Sequence, residues 1–283
     1  MDPDGVARLI RRAYRADARI LLALGRWVGR PVFDLWVAEE EGRLVGSVLV
    51  TYSARAGTLS SVAVAPARRR EGWARALLAE AHRGIRAARR SYALLEVIRG
   101  NGPARRLYDG LGYRPYRSSE VRLRDGAAPV PDGPPPAGVR PFQPADGPAL
   151  ARLLDAQAPE EVRRAVPATP GQFQVPAHLL HAVGAATAAW VLDGPAGPSG
   201  FVRATVGGLT RTAHLTQPLL DEAVDPAAAD GLLRTALGWI GRRGRIPVVV
   251  QVPLELPRAG AAVAALGFRP AYTVDLLGRE CAG

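Results

Sequence analysis

The 283-residue sequence has no lysine, one methionine and one cysteine, Cys281, and only 6% of it is aromatic. A single cysteine excludes an internal disulfide and a cysteine-rich zinc site. A reducing, cytoplasmic location is the default expectation for such a chain. No apolar run approaches the ~20 residues of a membrane-spanning helix. The opening Met1-Asp2-Pro3-Asp4 lacks the apolar core of a secretory signal. The four histidines, His82, His178, His181 and His214, offer only one suggestive spacing. That is the i, i+3 pair His178/His181, and no third ligand is evident, so no metal is expected. Neither a G-x-G-x-x-G turn after a strand nor a G-K-[ST] loop is present, which removes dinucleotide redox and P-loop phosphoryl chemistry.

Apolar residues make up 48% of the chain, as in globular proteins. The net charge is +11, all 37 basic residues are arginine, and 24 of them lie in residues 1–126 against 13 of the 26 acids. The rest of the chain is balanced, so the whole excess sits in the first half. Codon composition explains arginine in place of lysine in a chain this rich in Ala, Gly and Pro. It does not explain the asymmetry, which points to an anionic ligand or partner, a polyphosphate or a nucleic acid. No helix-turn-helix, zinc or RNA-binding signature accompanies the charge, so nucleic acid is the weaker reading.

Residues 127–138, dense in proline and glycine, read as a linker between two domains, 1–126 and 139–283. In the first, helical spacing covers Val6–Tyr14 and Ala16–Val28. A hairpin over Asp34–Glu39 and Leu44–Thr51 turns at Glu40–Arg43, and a strand over Thr58–Ala65 follows. Then come a helix over Gly72–Arg89, a buried strand over Tyr92–Ile98, a short helix over Pro103–Leu111 and extended residues to Leu123. The second domain repeats this order after an extra opening strand, Val139–Phe142. Its expected elements are a helix over Pro144–Ala156, strands near 185–192, 199–206 and 211–219, and a helix over Ala227–Arg242. A strand over Ile246–Val252, a helix near Gly260–Leu266 and a strand ending about Leu277 complete it. Gly110-Leu111-Gly112-Tyr113-Arg114-Pro115 is mirrored by Ala265-Leu266-Gly267-Phe268-Arg269-Pro270, which marks an internal duplication. The expected class is α/β (α+β), two tandem domains each with a mixed central sheet flanked by helices.

Two stretches carry chemistry. Val62-Ala63-Val64-Ala65-Pro66 ends a strand, and Arg69-Arg70-Glu71-Gly72-Trp73-Ala74 leads into a helix. The first-turn N–H groups of a helix lack intrahelical partners and suit a pyrophosphate. Small residues at Gly72 and Ala74 allow close approach of the main chain. Downstream, Leu95-Glu96-Val97 is followed by Asn101-x-x-Ala104-x-x-Leu107-Tyr108 and Leu111-Gly112-Tyr113. Together these blocks resemble the pyrophosphate loop and second conserved region of the GNAT N-acetyltransferase superfamily. The second block is similar to that of ribosomal-protein alanine N-acetyltransferases.

The resemblance implies two tandem GNAT-like domains and an acetyl-CoA-dependent N-acetyltransferase whose acceptor is a primary amine. It implies that the main chain at Val62, Ala63 and Val64 pairs with the pantetheine arm. Arg69, Arg70, Glu71, Gly72, Trp73 and Ala74 would cradle the pyrophosphate. Asn101 would hydrogen-bond the pantetheine or the turn after the strand, Ala104 would also lie at the cofactor, and Tyr108 would protonate the departing thiolate. A phenol of pKa about 10 can donate to a thiolate whose conjugate acid lies near about 8.5. Glu96 is the candidate base if burial raises its pKa, with a solvent-facing strand position as the plain alternative. The second copy keeps neither the arginines nor a tyrosine at the matching position, so it reads as degenerate. A non-catalytic acyl-CoA-binding or regulatory protein is the alternative function.

Overall fold

The computed structural model describes residues 33–129, 134–174, 185–207 and 212–281. The helices expected over Val6–Tyr14 and Ala16–Val28, the pair His178/His181 and part of the linker lie outside them. The described chain divides into two compact units that are not contiguous in sequence. The first unit holds residues up to Ser118, Pro159–Pro167 and the chain from Val274; the second holds Ser119–Ala158 and Ala168–Thr273.

In the first unit, β1 (Phe33–Glu40) and β2 (Arg43–Tyr52) form the expected hairpin, with Glu41 and Gly42 both at positive φ in its turn. β3 (Ala56–Val64) runs antiparallel to β2 and parallel to β4 (Tyr92–Ile98). Between them lies α1 (Trp73–Ala87), and α2 (Gly102–Asp109) follows β4. α1 buries Leu77, Leu78, Ala81, His82 and Ile85, a 3.6-residue stripe, against one face of the sheet. Val48, Val50, Leu59, Ala93, Leu95 and Val97 receive it, together with Tyr108, Tyr113 and Leu277. On the other face of β4, Tyr92 and Leu94 pack with Ala56 and with Ala165 of a short helix over Glu160–Ala165 that the sequence pattern did not suggest.

The second unit repeats the plan. β6 (Val139–Pro141), β7 (Ala185–Gly194), β8 (Gly197–Gly207) and β9 (Ala213–Leu220) are successively antiparallel, and β9 is parallel to β10 (Val248–Pro253). Helices over Gly147–Gln157, Pro226–Gly241 and Pro257–Ala265 cover its sheet. The fold is thus mixed α/β, a central mixed sheet flanked by helices in each unit.

The last strand of each half does double duty. β5 (Arg114–Arg124) starts in the first unit, and its Ser119–Arg124 pairs with β10 in the second. β11 (Arg269–Glu280) starts in the second, and its Val274–Glu280 pairs antiparallel with all of β4 in the first. Pattern reading ends this strand near Leu277, but the ladder to β4 carries it on to Glu280. The physical reason is that β4, buried along most of its length, would otherwise present an unpaired edge of N–H and C=O groups.

Candidate functional site

The parallel ladder between β3 and β4 runs from Ala56/Tyr92 to Leu59/Leu95 and stops. Its end coincides with a bulge in β3. The β2 register shifts between Ser47 and Leu49, and Ser61 takes φ +60. A non-glycine residue at positive φ is uncommon, and bulges of this kind bend a strand away from its neighbour. Ala65 N–H donates to the Val45 carbonyl at 2.8 Å, on the β2 side. Strand alternation therefore turns the main-chain groups of Val62 and Val64 to the opposite edge, toward the side from which β4 has parted. Val62, Val64 and Ala104 are half-buried against the same apolar cluster that holds Tyr108.

After Val64 the chain makes a 3-10 turn over Pro66–Arg68 and reaches Gly72, the N-cap of α1. Gly72 has φ +91 and no side-chain cap, and Ala76 N–H to the Gly72 carbonyl (3.0 Å) is the first bond of the helix. The N–H groups from Gly72 to Arg75 thus lie ahead of the ladder, at the positive end of a 15-residue helix dipole. A left-handed residue followed by a helical one also forms a concave anion nest. Arg70, at φ +73, adds a second left-handed turn just before it.

The three arginines are used differently. Arg68 is held by Glu40 at 2.6 Å and Glu71 at 2.9 Å, and Glu71 also accepts from Trp73 Nε1 at 3.2 Å. The Glu71 side chain therefore braces the loop, and only its main chain is left to face an anion. Arg69 spends its Nε on the Val64 carbonyl at 3.2 Å, which occupies one main-chain acceptor of the β3 edge and leaves the rest of its guanidinium fork. Arg69 and Arg70 are both exposed. Glu40, which the sequence places in a hairpin turn, thus belongs to the loop's support; its proximity to Arg68 has no sequence signal.

Asn101 is the N-cap of α2, its Oδ1 accepting from Ala104 N–H at 3.3 Å. This fixes the start of the helix that carries Tyr108. Tyr108 is 7% exposed, and burial pushes its phenol up to about 12. Its ring meets Tyr113 edge-on, with centroids 5.9 Å apart. Tyr113, 3% exposed, is bonded to His82 of α1, Oη to Nε2 at 2.7 Å. Burial first, and then the charges of Arg279 and Arg86, push His82 down to about 4, so the pair is neutral at pH 7.

Glu96 lies apart from this cluster. Residues 93, 95 and 97 of β4 face α1 and Tyr108, whereas Tyr92 and Leu94 face the other side. Glu96 shares the parity of Tyr92 and Leu94 and is exposed. The burial expected of a base at this position is absent. Glu96 and Tyr108 therefore lie on opposite faces of β4, just beyond the point where β3 parts from it.

The second unit has the same early parting, with β9 and β10 paired only over Ala213–Leu215 and Val248–Val250. Its helix N-terminus differs. Asp225 caps the helix over Pro226–Gly241, accepting from Ala227 N–H at 2.9 Å and Ala228 N–H at 3.2 Å. A carboxylate of this chain thus fills the place that an external anion would take. Among the described residues no group of His, Cys, Asp and Glu is arranged to hold a metal ion. No described helix is long and apolar enough to cross a membrane.

Residues 31–115 match the family model of the acetyltransferase (GNAT) domain. No curated protein matches the sequence significantly. Among solved structures, a tandem GNAT protein from the clavulanic acid biosynthesis pathway, without acetyl-CoA, has TM-score 0.62 at 18% identity, over 89% of this chain and 85% of that one. A GCN5-related N-acetyltransferase from Sphaerobacter thermophilus has TM-score 0.57 at 16% identity, over 86% and 79%. One from Anabaena variabilis has TM-score 0.52 at 14% identity, over 99% and 71%. At these identities the likeness is one of fold.

The His82 pair makes a prediction. The folded pKa lies below the ordinary value near about 6.5, so unfolding takes up a proton between there and pH 4. The pair's contribution to stability is complete above about pH 6.5 and is lost as the pH falls toward 4. In His82→Gln the drop in melting temperature from pH 7 to pH 5 should be smaller than in the wild type. An unchanged drop would show that His82 is not held neutral.

Proposed function

We propose that the chain is an acyl-CoA-dependent acyltransferase that moves an acetyl group from acetyl-CoA to a primary amine. The acceptor would be a small molecule, a protein N-terminus or a lysine side chain. One observation carries the reading: in the first unit a parted strand edge, an open helix N-terminus and a buried tyrosine converge. The match of residues 31–115 to the acetyltransferase domain supports it. In this reading residues 1–126 carry the donor site, completed by β11, and 139–283, beyond the linker 127–138, form a degenerate copy.

The pyrophosphate would lie at the N–H groups from Gly72 to Arg75, with Trp73 and Ala74 in that first turn. Arg69 and Arg70 would supply the formal charge, at main-chain distance from Glu71. The pantetheine would add to the parted edge of β3 at Val62 and Val64 as an extra strand, taking over the Val64 carbonyl that Arg69 holds. Its thioester would reach the gap between β3 and β4, near the start of α2 at Asn101 and Ala104.

The chemistry follows from the two faces of β4. The acceptor amine approaches from the face that bears Glu96 and attacks the thioester carbonyl carbon. A C–N bond forms and a tetrahedral intermediate results. The ammonium proton passes to the Glu96 carboxylate, directly or through a water. The C–S bond then breaks, and the thiolate takes the Tyr108 proton on the other face. A phenol held up at about 12 remains protonated at neutral pH and is available as the acid.

The experiment is a comparison of steady-state kinetics. Tyr108→Phe should lower kcat by about 10²-fold or more at an unchanged KM for acetyl-CoA, the scale of a lost general acid. Unchanged turnover would remove Tyr108 from the reaction. A protein that binds acetyl-CoA and shows no turnover in either form would favour the non-catalytic alternative. Glu96→Gln should shift the acid-side limb of the pH–rate profile, and an identical limb would assign the base elsewhere.

A further inference from the structure

We infer that Asp275, on a strand encoded far downstream of the site, is a positioning residue that sets α2 and hence the Tyr108 hydroxyl. The inference rests on Tyr108 being the acid of the proposed reaction.

Asp275 pairs across the ladder with Val97 of β4, so its side chain lies on the face that carries Tyr108. It is 6% exposed and has three partners, all within the first unit. Oδ1 accepts from Arg99 Nη2 at 2.8 Å and from Ser118 Oγ at 2.8 Å, and Oδ2 meets Arg105 Nη1 at 3.4 Å. Arg99 sits in the turn between β4 and α2, and Arg105 is inside α2, where its Nε also holds Asp109 at 2.8 Å. One buried carboxylate therefore ties both the entry and the body of α2 to β11. Asn101, which caps α2, fixes the same helix start. Burial alone would push the Asp275 carboxyl up, but the bonds from Arg99 and Ser118 and the two guanidinium charges outweigh it and hold the carboxyl below its ordinary range.

The duplication supplies an internal comparison. The register that pairs Leu111-Gly112 with Leu266-Gly267 also pairs Glu120 with Asp275, so both copies keep an acid at this place. The same register puts Leu254 at Arg99, Gly260 at Arg105 and Val263 at Tyr108. In the second unit the acid is bonded to Arg122 of its own strand at 2.5 Å, and that arginine in turn donates to the Gly260 carbonyl at 3.2 Å, so the acid reaches its helix only through a strand neighbour and a main-chain group. A cavity of about 240 Å³, lined by Glu120, Arg122, Leu254, Gly260 and Ala261 among others, lies there. The copy that lacks the tyrosine thus lacks the tethering arginines as well. The copy that has the tyrosine has both. The direct tether, with arginines of the turn and the helix on the carboxylate itself, is found in the copy that carries the tyrosine.

The test reads Tyr108 directly in the full chain. The phenolate absorbance of Tyr108, isolated as wild type minus Tyr108→Phe, should titrate near 12. In Asp275→Asn it should titrate about one unit lower or more, toward the solvent value of about 10, because a loosened α2 admits water to the ring. kcat should fall by about 10- to 100-fold, the cost of a small misplacement. The KM for acetyl-CoA should change far less, and adding the substitution to Tyr108→Phe should lower kcat no further. If Asp275→Asn does not fold, Arg105→Gln removes the α2 tether alone and leaves Asp275 with Arg99 and Ser118. It should lower the Tyr108 titration in the same direction. An unmoved titration in the folded variant would overturn the inference. The titration requires no turnover, so a failure of the proposed reaction would show in Tyr108→Phe kinetics and not here.

Discussion

β3 and β4 stay paired only as far as Leu59 and Leu95, and the rest of the first unit is arranged around their parting. Parallel strands normally bond along their length, and a parted pair leaves main-chain groups exposed to whatever can pair with them. The cause is local: the bulge that puts Ser61 at positive φ bends β3. The consequences are spatial. Val62 and Val64 offer a strand edge, the chain after them turns into the bare N-terminus of α1, and the far side of β4 brings in α2 with its buried tyrosine. Each of these features would be unremarkable alone, and their convergence gives the gap a chemical direction.

The parting also explains why β11 matters. A strand that has lost half of one neighbour needs a complete ladder on its other side, and β11 bonds β4 from Ile98 to Tyr92. The cost of an exposed edge along a mostly buried strand would be several unsatisfied N–H and C=O groups, each worth ~1–3 kcal/mol. The chain meets this need with a segment from its other end. The first unit is therefore complete only once β11 has been made, and β5 and β11 each begin in one unit and end in the other.

Much of this was legible in the sequence. The hairpin at Glu41–Gly42, the bounds of β4 and the helix that follows Gly72 come from periodicity and turn chemistry, which are local. The loop and the Asn101–Tyr108 block were visible because short spacings encode them. The bulge at Ser61 was not, since serine carries no preference for positive φ and nothing flanking it marks the shift. The strand partners of β5 and β11 were hidden because pairing is non-local and both strands look ordinary in isolation. Asp275 was missed for the same reason: its arginine partners, Arg99 and Arg105, lie 176 and 170 residues before it. Glu96 was half legible. Strand alternation left its face undecided until Leu94 and Leu95 could be assigned to opposite packing clusters.

The second unit shows what the first depends on. It has the same parted parallel pair, yet its helix N-terminus is capped by Asp225, and no tyrosine stands where Tyr108 does. Carboxylate and phosphate compete for the same N–H groups, so the proposed donor site is expected in the first unit alone. Calorimetric titration of the full chain with acetyl-CoA measures this directly. The account predicts one site per chain, abolished when Arg69 and Gly72 are replaced together. Two sites, or binding that survives those replacements, would contradict it.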